Sequence, residues 1–422
     1  MRIVIIGNSV AMVGAVEAIR KYDTSSEIVV ISDETYHVYS RPLISYYLGN
    51  LVSEDKMIYR EKDFYRKNKV ETVFGIKAIS IDERKKEVYL EKGDSISFDK
   101  LLIATGGKPI IPPVEGLNKK NVHTFIKMDD AKKLKEAAKP GSKAVIVGGG
   151  LIGFKAAEGL HHLGVDVTIV ELADRILSTI LDAEGASLVS QSLQNDGIKI
   201  ITGTTVDKII GDEYVKGVLL KNGQELEADN LIIAIGVVPN VDVVKNTSIS
   251  INRGILVDNT MKTSVEDVYA AGDVAEGYDM LVESNRVVPI WPNAYMQGEI
   301  AGLNMIGINK TFKGIFPMNS IGYKNTNVIT AGITNPQQEE FEIIYKIDHN
   351  RRSYKKFVVK ENRLVGFILI NDIDRAGLFT GFIKNETDIT PFKKYLLNDD
   401  FGFIYLPKEL RRAKMLDLEV VR

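Results

Sequence analysis

Between Lys143 and Glu171 the chain reads KAVIVGGGLIGFKAAEGLHHLGVDVTIVE, and few folds accommodate that order of residues. Ala144–Val147 is a short β-branched run of the kind used by buried parallel strands. It ends in Gly148-Gly149-Gly150-Leu151-Ile152-Gly153, a G-x-G-x-x-G turn. Phe154, Ala157, Leu160 and Leu163 then recur at helical spacing, Gly164 closes the helix, and Val165–Val170 forms a second strand. Glu171 stands at its end. A lone glycine triplet is weak evidence, and a glycine-rich turn can exist without a ligand. Strand, turn, helix, strand and terminal acid together spell a dinucleotide-binding unit. Gly148 permits the tight turn, Gly150 lets backbone approach a pyrophosphate, and Gly153 lets helix and strand pack closely. Leu151 and Ile152 start the helix whose free N–H groups face the phosphates. Glu171 is suited to a ribose 2′-hydroxyl and repels a 2′-phosphate, which favours NADH over NADPH.

The 422 residues suffice for two or three domains, and 45% hydrophobic with 26% charged residues is ordinary for a globular chain. A net charge of −2 gives no general attraction to nucleic acid or anionic lipid. No run approaches the ~18 apolar residues of a membrane span. Met1-Arg2 leads straight into strand Ile3–Ile6, so no signal peptide is expected and a cytoplasmic location is. There is no cysteine. That excludes a redox disulfide, a thiol nucleophile and a cysteine-ligated iron–sulfur cluster on this chain. His161 and His162 are adjacent, so on a helix they diverge and no metal site is expected.

The N-terminus repeats the theme. RIVIIG gives a strand and a turn reading Gly7-Asn8-Ser9-Val10-Ala11-Met12, followed by a helix and strand Ile28–Ile31. Ser9 and Met12 stand where the second and third glycines would be. Met12 implies a wider helix–strand separation, or a close contact supplied by Gly14 instead. Asp33, first after the strand, is the expected ribose ligand, with Glu34 in reserve. Two such units suggest two dinucleotides, a flavin beside a nicotinamide. Three further apolar strands end in glycine, at Ala104-Thr105-Gly106-Gly107, at Gly236-Val237-Val238-Pro239-Asn240 and at Gly272-Asp273.

GNSVAM, ATGGKP, GGGLIG, AIGVVPN and TSVEDVYAAGDVAE occur here in one order. In that order the chain resembles the flavoprotein pyridine nucleotide–disulfide oxidoreductase superfamily over residues ~1–315. The resemblance implies an α/β fold with two Rossmann-like domains, FAD held by 1–112 and 247–316 and NAD(H) by an inserted 113–246. It implies that Gly7, Ser9, Val10, Ala11, Ala104, Thr105, Gly106, Gly272 and Asp273 line the FAD site. Arg41 and Pro42, in YSRP, match the segment beside the flavin in rubredoxin- and ferredoxin-reductase-like members. Ala294 belongs to the helix after Trp291-Pro292, whose N-terminus the resemblance points at the flavin. Trp291, the only tryptophan, is a candidate cover for the flavin or the acceptor side. Gly236 joins the NAD set.

Two departures stand out. Disulfide reductases of this superfamily carry a cysteine on the early segment where this chain has Pro42. Members also often pair a lysine after R-P-x-L-S with a glutamate beyond the third glycine, and here those positions hold Tyr46 and Lys155. Lys155 is therefore a candidate for tuning the flavin or the nicotinamide region, against the alternative of a lysine reaching to solvent. Residues 204–228 read as paired strands around an Asn222-Gly223 turn. From about Pro317, strands NVITAGI, FEIIYKI, KKFVVKE and LVGFILI precede a helix-rich tail ending in KELRRAKMLDLEVVR. This resembles the family's α+β C-terminal domain (317–422), used for dimerisation or acceptor docking. Asp374-Arg375-Ala376-Gly377 is either contact surface or a helix cap. The implied activity is NADH-dependent reduction, through FAD, of rubredoxin, a ferredoxin or an iron–sulfur partner subunit. The alternatives are an NADH oxidase or peroxidase, and a flavin-containing structural or sensor subunit.

Overall fold

The computed structural model describes residues 1–412, so the last part of the charged tail, 413–422, lies outside the described residues. Two compact units emerge. One comprises Met1–Ile176 and Gly197–Ile315, the other Leu177–Asp196 with Phe316 onward.

The first unit holds two five-stranded parallel sheets of the same strand order. In one, Arg2–Ile6 lies between Glu27–Ser32 and Lys100–Ile103, with Val70–Phe74 and Val268–Ala270 at the edges. In the other, Lys143–Val147 lies between Asp166–Glu171 and Asn230–Ile233, with Lys199–Thr202 and Val122–His123 at the edges. The central strand of each, Arg2–Ile6 or Lys143–Val147, is apolar throughout its interior because both faces are covered: Ile3, Val4, Ile5 and Ile146 are fully buried. Strand order reverses beside that central strand in both sheets, which opens a crevice at its carboxyl end. A two-stranded antiparallel ribbon, Gly107–Pro109 with Val237–Pro239, joins the two halves.

Small residues set how closely helices approach. Helix Val10–Tyr22 crosses helix Trp291–Met305 so tightly that a Cβ on Gly298 would stand 2.0 Å from the Ala11 carbonyl oxygen. One on Gly14 would stand 2.3 Å from that of Tyr295. Gly14 thus serves this helix crossing, not the helix–strand contact that the sequence offered it for. The hairpin turns at Lys221-Asn222-Gly223, with Gly223 N donating to the Leu220 carbonyl at 2.9 Å and Leu220 N to that of Gln224 at 2.8 Å; Gly223 takes the left-handed conformation, φ +85°.

In the second unit a five-stranded antiparallel sheet runs Met318–Tyr323, Thr326–Gly332, Arg363–Ile370, Ser353–Lys360, Glu342–Asp348. Phe357, Phe367, Phe382, Phe392 and Phe401 fill its core beside helix Ala376–Lys384. Arg375 is the N-cap of that helix without a side-chain cap bond; its Nε donates instead to the Phe401 carbonyl at 3.0 Å.

Helix Ala183–Asn195 falls in the stretch read as a nucleotide domain, yet it packs in this second unit. Asp182, its N-cap, explains the attachment. Its carboxylate accepts from Gly185 N at 3.0 Å, Tyr354 OH at 2.7 Å and Lys356 Nζ at 2.8 Å. Burial pulls the Asp182 pKa upward, but the bonds from Lys356, Gly185 and Tyr354 outweigh it and hold it below the usual value. A depressed carboxylate stabilises the fold above its unfolded pKa and loses that contribution as pH falls through the folded one. Asp182→Ala is expected to cost about 3–5 kcal/mol in denaturant unfolding near pH 7, since it leaves Lys356 buried without its partner. That difference should shrink as pH falls below the ordinary aspartate pKa, about 3.9, toward the lower folded one.

Candidate nucleotide and flavin sites

Both glycine turns are built the same way. At Gly148 φ is +106° and a Cβ would lie 2.4 Å from the Ala234 carbonyl oxygen. At Gly7 φ is +120° and a Cβ would lie 2.0 Å from that of Ala104. Each turn is therefore pressed against the end of the neighbouring strand, and only glycine fits. A Cβ on Gly153 would stand 1.9 Å from the Gly148 oxygen. At Gly150, the N-cap of helix Leu151–His162, a Cβ would meet nothing within 4 Å. The backbone there faces open space, and the N–H groups of Leu151, Ile152 and Gly153 begin the helix without a side-chain cap. That is a seat for an anion. Glu171 is fixed beside it, accepting from Gly149 N at 2.5 Å and Ala173 N at 2.8 Å. Gly236, φ +125°, lies between the adjoining strand Asn230–Ile233 and the ribbon strand Val237–Pro239.

In the N-terminal turn Ser9 is an extended N-cap whose hydroxyl makes no cap bond, and Val10 and Ala11 open the helix. Asn8 is a residue that sequence reading passed over. Its amide donates to the Tyr36 carbonyl at 3.0 Å and accepts from Tyr65 OH at 2.7 Å, fixing the turn from below. Gly272 (φ +81°) brings a third element in, since its Cβ would touch those of Ala294 at 3.4 Å and Ala11 at 3.5 Å. Gln297 accepts the Gly272 N–H at 2.9 Å and locks that junction.

Asp273 follows at once. It is half-buried, and none of the described residues donates a hydrogen bond to its carboxylate. Loss of solvent raises its pKa, with the nearby Arg41 cation pulling the other way. It lines a cavity of ≈ 110 Å³ together with Gly107, Val237–Pro239, Arg253, Val287 and Pro289. A half-buried carboxylate facing space beside a glycine turn fits the hydroxyl-bearing part of a dinucleotide.

Arg41 is held in place by Glu34, Nη2 to Oε1 at 2.6 Å, and Tyr39 OH donates to the other Glu34 oxygen at 2.7 Å. Glu34, the reserve ribose ligand in the sequence reading, is 6% exposed and has both oxygens engaged; it is the anchor of Arg41. Asp33 is accessible, and Lys127 reaches it at 2.6 Å from the start of helix Met128–Ala137. Lys127 was missed because nothing in its local sequence marks it. Pro42 is exposed at the start of the 3-10 turn Arg41–Leu43. Thr105 Oγ1 donates to the Asn240 carbonyl at 2.7 Å, and Asn240 N to that of Gly106 at 2.8 Å, so Thr105 ties the linking ribbon together. Trp291 is half-buried, edge-on to Tyr59 at 5.2 Å, and Arg60 stacks on Tyr59 at 4.2 Å. Lys155 does not extend to solvent. It pairs with Glu158, and its ammonium lies 4.4 Å from the centroid of the Tyr46 ring.

Residues 1–298 match the family described as pyridine nucleotide-disulphide oxidoreductase. The chain belongs to this family. Residues 317–387 match the rubredoxin NAD+ reductase C-terminal domain. The chain is 32% identical to the NADH-dependent phenylglyoxylate dehydrogenase subunit epsilon of Aromatoleum evansii, over 92% of this chain and 93% of that one. It is 30% identical to the nitrite reductase [NAD(P)H] of Bacillus subtilis over 93% of its own length, but spans only 48% of that protein. Its fold superposes on the NADH:rubredoxin oxidoreductase of Clostridium acetobutylicum with a TM-score of 0.76 at 28% identity, covering 93% and 97% of the two chains. The family's cofactors are FAD and NAD(H), and the open backbone at Gly150 and the half-buried Asp273 carboxylate fit them. The disulphide chemistry in the family's name has no residues here, because the chain has no cysteine. Among the described residues no helix is long and apolar enough to cross a membrane.

Proposed function

We propose that this chain is an NAD(H)-dependent FAD reductase that exchanges electrons with a separate one-electron carrier. That carrier is rubredoxin, a ferredoxin or an iron–sulfur subunit of a larger oxidoreductase. One observation carries the reading: a family site for two nucleotides stands in a chain without cysteine, so electrons delivered by NADH must leave to another molecule. Bound FAD would supply the conversion between a two-electron hydride donor and single-electron transfer. The chain's own residues bind and orient. Gly148, Gly150, Leu151, Ile152, Gly153 and Gly236 seat NAD(H), and Glu171 holds its ribose. The FAD seat is Gly7, Ser9, Val10, Ala11, Ala104, Gly106, Gly272, Asp273 and Ala294, with Asp33 toward the ribose and Arg41 beside Asp273. Residues 1–112 and 247–316 form the flavin part, 113–176 with 197–246 the NAD(H) part, and 317 onward, joined by 177–196, the surface for a partner or a second copy, in the cytoplasm.

The test is anaerobic reduction by NADH followed by addition of rubredoxin or ferredoxin. Carrier reduction that outpaces oxygen consumption under air supports the proposal. Rapid oxygen use without any carrier would favour an NADH oxidase, the reading that the absent cysteine leaves second. Glu171 adds a separate expectation, because a carboxylate held by two backbone N–H groups repels a 2′-phosphate. NADH should be preferred to NADPH by about tenfold or more in kcat/KM, as one lost or repulsive polar contact requires. Equal efficiency with the two nucleotides counts against that role.

A further inference from the structure

Helix Leu151–His162 carries an ion pair that its nucleotide turn does not require. Lys155 and Glu158 sit one helical turn apart, with side chains 19% and 7% exposed, and they pair directly. On a solvent face such a pair would contribute little, and burying both charges is costly unless the geometry serves something else. The other side of the ammonium supplies that something. It stands over the Tyr46 ring, 4.4 Å from the centroid, and Tyr46 belongs to helix Ile44–Leu48, directly after the Arg41–Leu43 turn.

The two helices also meet at backbone level. A Cβ on Gly159 would stand 2.7 Å from the Ser45 carbonyl oxygen, and one on Gly49 would stand 3.3 Å from that of Gly159. This seam joins the helix that begins at Gly150 to the segment that begins at Arg41. The Lys155–Glu158 pair is neutral as a unit, so what it supplies at the seam is position. We propose that Lys155 is a positioning residue: its cation on the Tyr46 ring, steadied by Glu158, holds the nucleotide helix in register with the flavin-side segment. The N–H groups at 151–153 bind an anion only when that helix is seated. A loosened seam lowers apparent affinity by the fraction of molecules that remain seated. This rests on the NAD(H) reading of the Gly148–Gly153 turn.

The experiment titrates the FAD-loaded protein with NAD+, which binds without reacting, and follows the flavin absorbance and the heat of binding. The variants are Tyr46→Leu, Tyr46→Phe and the double variant Lys155→Met/Glu158→Gln, which avoids leaving Glu158 as a lone buried charge. In Tyr46→Leu and in the double variant the NAD+ dissociation constant should rise about fivefold, the worth of one partly buried cation–π contact. Tyr46→Phe keeps the ring face and should restore wild-type affinity, with FAD content unchanged in all three. Wild-type affinity in Tyr46→Leu and the double variant overturns the proposal, as does an equal loss in Tyr46→Phe. Failure of the unmutated protein to bind NAD+ would instead overturn the nucleotide assignment, so the two failures are distinguishable.

Discussion

Replacing Asp273 with asparagine should move FAD affinity and apoprotein stability in opposite directions. FAD should bind about 10- to 100-fold more weakly, the range for losing one hydrogen bond to a charged group. The FAD-free protein should become more heat-stable. Burial raises the Asp273 pKa above its unfolded value, so the folded state holds that proton more tightly than the unfolded state does. By linkage, stability is then lost as pH rises from the unfolded pKa through the folded one, so at pH 7 the apoprotein carries a penalty that it does not carry in acid. Asparagine has no charge to desolvate. Melting the apoproteins at pH 7 should place the variant higher, by roughly 1–2 °C for each kcal/mol recovered. The gap should close below about pH 4, where the carboxyl is protonated in both states. A variant that keeps FAD tightly, or whose apoprotein melts lower than wild type at pH 7, would remove Asp273 from the site.

Gly153→Ala is the second large effect. Its Cβ would stand 1.9 Å from the Gly148 oxygen and 3.3 Å from Ile146 Cγ2, and neither is the far end of a flexible chain. The nucleotide helix would have to move away from its strand and carry the N–H groups at its N-terminus with it. A displacement near 1 Å can cost about 100-fold in rate, and kcat/KM for NADH should fall by about that factor. The flavin spectrum should persist, because the atoms nearest this position belong to Gly148 and Ile146, in the second glycine turn and its strand. Stopped-flow bleaching by NADH measures the first quantity and the absorbance of the purified protein the second. Loss of FAD together with NADH turnover would show that the two turns are not separable in this way.

The two turns also show how far the sequence could be read. Gly148, Gly153 and Gly7 were legible because each answers to a local constraint, a left-handed φ or a backbone approach that forbids a Cβ, and Gly150 because it completes their spacing. Met12 was legible only as an irregularity. It is fully buried, and the closeness that a glycine would have given at that position is made elsewhere, by Gly14 against helix Trp291–Met305. Nothing near position 14 announces a partner almost three hundred residues away. Asn8, Lys127 and Gln297 were missed for the same reason, since each matters through a residue distant in the chain.

Sequence by itself determined the two dinucleotide units, their order, the change to a run of strands near Pro317 and the absence of thiol chemistry. All of these rest on periodicity, local backbone demands or composition, which a chain displays before it folds. Tertiary structure decided which acid is which: Glu34 is buried under Arg41 and Tyr39, and Asp33 is left at the rim with Lys127. It decided that helix Ala183–Asn195 goes with the C-terminal sheet, through the bonds of Asp182 to Tyr354 and Lys356. And it decided that Lys155 turns inward to Glu158 and Tyr46. Burial and pairing of a charge depend on what the rest of the chain brings to it. No window of sequence around that charge contains the information.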